Sequence, residues 1–173
     1  NNSMPKITII TPYFWPEIAS NVPLIMDLGE DLYKHGNKVR IVSFFSTNRN
    51  KKENIFKIRI GNYKGCNIVK YPNPFLKKRG LFSKFLESLI FYIWAIYITL
   101  RWQFDTDVFF IQSTPPFMSL PVSLFLFKKI PIIYNIQDIF PDSAISAGIL
   151  KNKISIKILR LMEKITYKTI SVA

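Results

Sequence analysis

Cysteine and histidine are nearly missing from these 173 residues, with one of each, Cys66 and His35. A lone thiol makes no internal disulfide and suits a reducing compartment, where Cys66 reads as an inert strand residue. One His and one Cys cannot assemble a Ser-His-Asp or Cys-His nucleophile set, and no metal site is expected. Glycine is also scarce, six in all, and no GxGxxG or Walker pattern marks a nucleotide cradle. With 49% hydrophobic residues, the chain reads as an ordered globular domain rather than a disordered one. Long apolar runs are absent too. The strongest, "SLIFYIWAIYITL" (88–100), is thirteen residues, roughly 20 Å as a helix against a hydrocarbon core of roughly 30 Å. The later stretch 117–136 is broken by Pro121, Lys128, Lys129 and Pro131, so neither is expected to span a membrane. Ile7–Ile10 is too short for a secretory signal, and the leading Asn1-Asn2-Ser3 reads as a vector remnant.

Acidic residues are the other shortage: eleven against twenty-four Lys and Arg, for a net charge of +13. Between Lys34 and Lys84 stand fourteen bases and a single acid, Glu53, so this segment carries the whole excess. Such a region attracts phosphates, of nucleic acid or of anionic lipid headgroups. The plainer alternative is a set of lysine-rich solvated loops.

What is present is a βαβ alternation. "KITIITPY" (6–13) is a continuous β-branched run, expected to be a strand buried on both faces. From about Ser20 a helix places Val22, Ile25, Met26, Gly29, Leu32 and Tyr33 on one face, and "KVRIVSFF" (38–45) is the next strand. Residues 46–54 read as a loop. A hairpin or pair of edge strands follows, with turn signals at Gly61-Asn62 and Gly65. A helix over 80–103, a strand over 106–113, a helix over 116–127 and a strand over 130–137 complete the alternation. Toward the end, Ile154, Ile158, Leu161, Met162 and Ile165 form an apolar stripe opposite Lys153, Lys157, Arg160 and Lys164. "KTISVA" (168–173) reads as a final strand. The predicted class is α/β, a doubly wound, mostly parallel, Rossmann-like sheet.

Ligands of such sheets sit beyond the carboxyl ends of the strands. Three strand ends carry marked loops, "TPYFWPEIASN", "QSTPPF" and "QDIFPDS", which should open on one edge. The helix N-terminus around Ala19–Val22 could dock a phosphate, or Ser20 or Asn21 could simply cap it. Asp138 ends a buried strand, as a general base, an acceptor for a sugar hydroxyl, or a cap; Asp142, after Pro141, reads as a helix cap. No acidic pair follows the first strand, which removes a phospho-receiver reading of Asp138. The 80–103 helix is apolar nearly all round. Burial against the sheet competes with a monotopic contact to an anionic leaflet through Lys77, Lys78, Arg79, Lys84, Phe85 and Trp94.

The stretch "ITPYFWPEIASNVPLIMDLGEDLYKHGNKVRIVSF" resembles the opening of glycosyltransferase family 4, whose signature is a strand, a "PP-E-x-GG"-like loop, a helix and "GH-x-V-x-V". "IPIIYNIQDIFPDSAISAGIL" and "LRLMEKITYKTISVA" are similar to the later part of the same domain. The closest branch builds O-antigen and capsular polysaccharide, where "QD-(L/I)-(W/Y/F)-P-(E/D)" is common. The resemblance covers nearly the whole chain from Met4.

It implies the N-terminal, acceptor-binding half of a GT-B fold, spanning 4–173. A second domain, with a nucleotide-sugar pocket and an "E-x7-E" motif, would stand outside this sequence; the fragment alone should not turn over. It further implies a retaining, metal-free transferase with no cofactor beyond the nucleotide-sugar co-substrate. The acceptor would be a sugar on a polyprenyl diphosphate, and the location the cytoplasmic face of an anionic inner membrane. Asp138 would stand at the reaction centre. Pro16, Glu17, Ala19, Ser20 and Asn21 would line the sugar and phosphate site, Ser113 and Thr114 its floor. Gln137, Pro141 and Asp142 would complete it from the third loop. The chain departs from the pattern at three places. Ala19 and Ser20 replace the paired glycines, Gly36-Asn37 stands for "GH", and Gln137 replaces a His common in relatives. The alternative is a non-catalytic Rossmann-like module whose basic region holds nucleic acid or an anionic membrane; the basic segment carries no helix-turn-helix or RNA-binding signature, so nucleic acid is not the expected partner.

Overall fold

The computed structural model describes residues 4–17, 19–46, 57–75 and 80–170. Six strands form one sheet in the order β3-β4-β2-β1-β5-β6, comprising β1 (Lys6–Ile10), β2 (Lys38–Ser46), β3 (Arg59–Tyr63), β4 (Cys66–Asn73), β5 (Val108–Gln112) and β6 (Ile132–Asn135). All neighbours run parallel except β3, which pairs antiparallel with β4 at the sheet edge. Helices α1 (Val22–Lys34), α2 (Leu81–Trp102), α3 (Ser119–Leu124), α4 (Asp142–Ser146) and α5 (Lys153–Thr169) interleave with them. This is the doubly wound α/β architecture that the alternation predicts. The chain leaves β1 toward β2 on one side and returns to β5 on the other, so the strand order reverses between β1 and β5.

The continuous apolar runs are explained by cover on both faces. On one face Ile9, Ile41 and Ile68 pack beneath Ile25 of α1. Gly29 brings that helix close, since a Cβ there would stand 3.0 Å from Ile41 Cδ1. On the other face Ile10, Phe44, Tyr71 and Phe109 meet Phe91, Ala95 and Ile98 of α2 and Val122 of α3. Each buried Phe or Ile contributes roughly 1.5–3 kcal/mol. The hairpin turns at Lys64-Gly65, both with positive φ (46° and 90°), the two-residue geometry that matches strand twist. Gly61-Asn62 lies inside β3 and makes no turn.

Several sequence expectations are corrected. The 116–127 helix starts only at Ser119, because Phe117 sits at φ 59° and cannot belong to a helical turn. Residues 168 and 169 remain helical in α5, so the strand expected over 168–173 does not begin there; 171–173 lie outside the described residues, as do 1–3. Ser46 ends β2, and the rest of the predicted 46–54 loop is likewise outside. The apolar stripe of α5 faces outward: Ile154, Ile158, Leu161 and Ile165 are exposed, while Leu159, Met162 and Thr166 turn inward. The α2 helix outruns its thirteen-residue apolar core. With the 3-10 turn Gln103–Asp105 that follows, it is long and apolar enough to cross a membrane by length and composition. Crossing would require pulling Phe91, Ala95 and Ile98 out of the core, so α2 belongs to the sheet.

Candidate functional site

Two adjacent residues at the end of β5 gather the marked loops. Gln112, fully buried, accepts at Oε1 from Thr11 Oγ1 (2.5 Å) and from Asn21 Nδ2 (2.7 Å), tying down the loop after β1. Ser113 donates its amide to Asn135 O and accepts at Oγ from the Gln137 amide (3.0 Å), tying down the loop after β6. The three loops therefore emerge together beside the β1/β5 switch, where ligands of open α/β sheets bind. Each carries one cis X-Pro bond, Trp15-Pro16, Thr114-Pro115 and Phe140-Pro141. Strand alternation assigns the two anchors to opposite sides of the sheet edge: Gln112 shares a face with Phe110 beneath α1, Ser113 with Ile111 beneath α2 and α3.

On the α1 side the floor is polar. Lys70 of β4, 8% exposed, donates from Nζ to Phe14 O (3.0 Å) and Trp15 O (2.5 Å). Burial holds its pKa below the ordinary 10.5, with the nearby Glu17 carboxylate pulling the other way. Its register neighbour Ser43 has a buried Oγ, and Gln112 a buried Nε2, without partners among the described residues. These groups were not legible as site residues, because each sits inside an apolar strand run. The only signal was a polar residue near the carboxyl end of a buried strand.

The candidate residues of the first loop stand above this floor. Pro16 and Ser20 are exposed, Glu17 and Ala19 half-buried, and the Glu17 amide closes a turn onto Phe14 O. Asn21 is the N-cap position of α1, but its side chain serves Gln112 and makes no cap bond. An anion at this helix end finds few donors. Val22 N is bonded to Ala19 O, residue 23 is proline, and Ile25 N is bonded to Asn21 O.

On the other side, Asp138 borders a small recess with Ser113, Phe117, Phe140, Thr166 and Tyr167. Its carboxylate is exposed and has no bonding partner among the described residues. Asp142 behaves differently. It opens α4 without capping it, Pro141 being the N-cap, and both its oxygens take Arg160 of α5 (2.5 and 3.2 Å). The capping role expected for Asp142 is thus replaced by an ion pair, which neutralises it. Thr114 and Gln137 are exposed, and Pro141 is buried.

Beside the recess, Pro116, Phe117 and Phe140 also line an apolar groove of about 360 Å³ between α2 and α5, closed by Phe85, Leu89, Tyr92, Leu159 and Met162. Lys84, which also lines the groove, donates to Glu87 (2.8 Å), a 4% exposed residue that also accepts from Tyr13 OH (3.3 Å). Burial and the Glu87 charge push the Tyr13 phenol up to about 12. Of the membrane-contact candidates, Phe85 is exposed and Lys84 is paired with Glu87. Trp94 is turned inward, its ring against Tyr71 and Nε1 donating to Pro72 O (3.1 Å), so it is no outward contact. Lys77, Lys78 and Arg79 lie outside the described residues.

Among the described residues, several bases of the segment are paired or buried. Lys34 and Lys64 both pair with Glu30, Arg40 with Asp105, Lys84 with Glu87, and Lys70 is buried. The chain matches no known family model and no curated protein.

Proposed function

We propose that the chain is the acceptor-side domain of a retaining glycosyltransferase working at an anionic membrane surface. It would transfer sugar from a nucleotide-sugar to a lipid-linked oligosaccharide in bacterial surface polysaccharide synthesis. The observation that carries the proposal is the unpaired Asp138 carboxylate at the loop edge, opening on the same Phe117-Phe140 wall as the apolar groove. A substrate with a polar head and a long apolar tail suits that pairing: head at Asp138, tail along α2 and α5. Asp138 would take or orient the proton of the acceptor hydroxyl, as base or as hydrogen-bond acceptor. Asp142, held by Arg160, would position the helix after it. The nucleotide-sugar would be bound mainly by a second, C-terminal domain of the complete protein, closing over Glu17–Asn21. No cofactor is needed for this step.

The test is Asp138→Ala in the full-length protein, assayed for sugar transfer to a polyprenyl-diphosphate acceptor. The expected loss is about a hundredfold or more, the usual contribution of a positioned acid or base, with circular dichroism unchanged. A near wild-type rate would sink the assignment.

A further inference from the structure

The outward face of α2 runs as an unbroken apolar stripe from Phe82 (74% exposed) through Leu89 and Ile93 to Phe104 (76% exposed), just beyond the helix end. Between Lys84 and Arg101 the only charged residue is Glu87, which is buried. The uncharged length is roughly 24 Å at 1.5 Å per residue. An exposed stripe of that extent marks an interaction surface. Since the opposite face is locked into the core, whatever covers it must lie alongside α2.

The far end of the stripe gives the chemistry of that cover. Asp105, next after Phe104, forms one wall of a polar recess of about 220 Å³, with Lys6, Thr8, Lys38, Arg40 and Asn67. Three cations converge there. Arg40 is fixed flat, 3.7 Å from the Trp102 ring centre, and bonded to Asp105 Oδ2 (2.6 Å). Lys6 takes Asp105 Oδ1 (2.5 Å), and the second acid, Asp107, accepts the Lys6 amide. Lys38 is exposed, and its ammonium has no partner among the described residues. At the same end Gln103 accepts from the Phe127 and Lys128 amides (2.8 and 3.4 Å), which sets exposed Phe127, Lys128 and Lys129 beside Phe104. Aromatic side chains ringed by bases suit the boundary between acyl chains and anionic headgroups.

We infer that α2 lies flat in the headgroup layer of an anionic leaflet, and that the Lys6-Lys38-Arg40 recess binds a lipid phosphate there. This deepens the membrane part of the function proposed above and rests on it. Nucleic acid would meet the cations but leave the stripe uncovered; a leaflet satisfies both. With α2 in the membrane plane, the strands run along the surface. The loop edge then opens sideways, where a lipid-linked acceptor could reach Asp138 without leaving the bilayer.

The test is flotation of the full-length protein with phosphatidylcholine vesicles, with and without phosphatidylglycerol, comparing Lys38→Glu with Lys151→Glu. Both change the charge equally, and Lys151 precedes α5, away from the recess. Partition into the phosphatidylglycerol vesicles should fall about tenfold or more for Lys38→Glu, from about 1 kcal/mol per surface charge, and less than about twofold for Lys151→Glu. Equal losses would overturn the recess and leave the membrane contact standing. Failure of the unaltered protein to float would remove both, while a surviving Asp138 effect would keep the transferase. Titration with soluble glycerol phosphate, followed at the Arg40 side-chain NMR signal, is the last arm. Saturation there without flotation would identify a free-anion site and overturn the lipid assignment.

Discussion

At the amino-terminal edge of the sheet, two cations meet a carboxylate in partial contact with solvent. Lys6 and Arg40 share Asp105, and hydrogen bonds from both hold that carboxyl below its ordinary pKa. At the carboxyl-terminal edge a cation bonds backbone carbonyls, with the Glu17 carboxylate acting on it through space. Lys70 is buried against two backbone carbonyls, and Gln112 and Ser43 nearby keep polar atoms unpartnered. The first arrangement matches Lys6 and Arg40 to an acid and leaves Lys38 beside them without a partner among the described residues. The second keeps spare bonding capacity beside the loops that leave β1, β5 and β6. Buried polar groups without partners are uncommon and costly; among the described residues two of them, Ser43 Oγ and Gln112 Nε2, lie at the ligand edge, with Trp102 Nε1 and Ser119 Oγ elsewhere.

Lys70→Met breaks that contrast most severely. The thioether fills the space but leaves Trp15 O without its donor, while Phe14 O keeps the Glu17 amide, at about 2 kcal/mol. Denaturant unfolding should show the loss, and protease should cut the Trp15 loop faster. The pH dependence carries the sign. The folded state binds the Lys70 proton less tightly than the unfolded chain, so wild-type stability is gained as pH climbs through the lowered value toward 10.5. The variant should lack that rise. An equal alkaline rise in both proteins would show that Lys70 is not the source.

Gln112→Leu is the milder version on the same floor. Thr11 Oγ1 keeps Tyr13 O as a partner at 3.0 Å, but Asn21 Nδ2 loses its acceptor. The expected cost is about 1–2 kcal/mol. Faster amide exchange should appear at Val22 and Ile25, the first hydrogen-bonded amides of α1, with β6 unaffected. Loosening at Gln137 as well would mean that the two anchors of β5 act as one unit.

The same contrast explains what the sequence could disclose. Strands β1, β2, β5 and β6 were legible because cover on both faces demands continuous apolar runs, and Asp138 because an acid follows one of them, although β6 itself ends at Asn135, short of the 130–137 expected. Lys70 and Gln112 were not. Within "NIVKYPN" and "VFFIQ" a polar residue reads as strand, and only the sheet order reveals that its end faces a loop cluster. Gly61-Asn62 misled as a turn because β3 is an exposed edge strand, with Ile60 in solvent, where turn-like composition is tolerated. The apolar stripe of α5 misled in the other direction. Periodicity reports that a face is apolar, and packing decides which way it turns, here with Leu159 and Met162 inward.

Asp105→Asn should have the smallest effect, and its smallness is what tests the contrast. The carboxylate and Lys6 are each partly exposed, so screening limits the pair, and loss at neutral pH should stay under about 1 kcal/mol. The amide still accepts one bond, and Arg40 keeps its stacking on Trp102 and its bond to the Asp105 backbone carbonyl. The difference should concentrate in acid. Because folding lowers the Asp105 pKa, its contribution is present above the ordinary 3.8 and lost as pH falls through the folded value. Wild type should therefore lose stability in that window, while the variant stays flatter. If Asp105→Asn instead costs as much at neutral pH as Lys70→Met, the amino-terminal edge is as unforgiving as the carboxyl-terminal one. The difference between the edges would then lie in burial, not in whether the cation is matched by an acid.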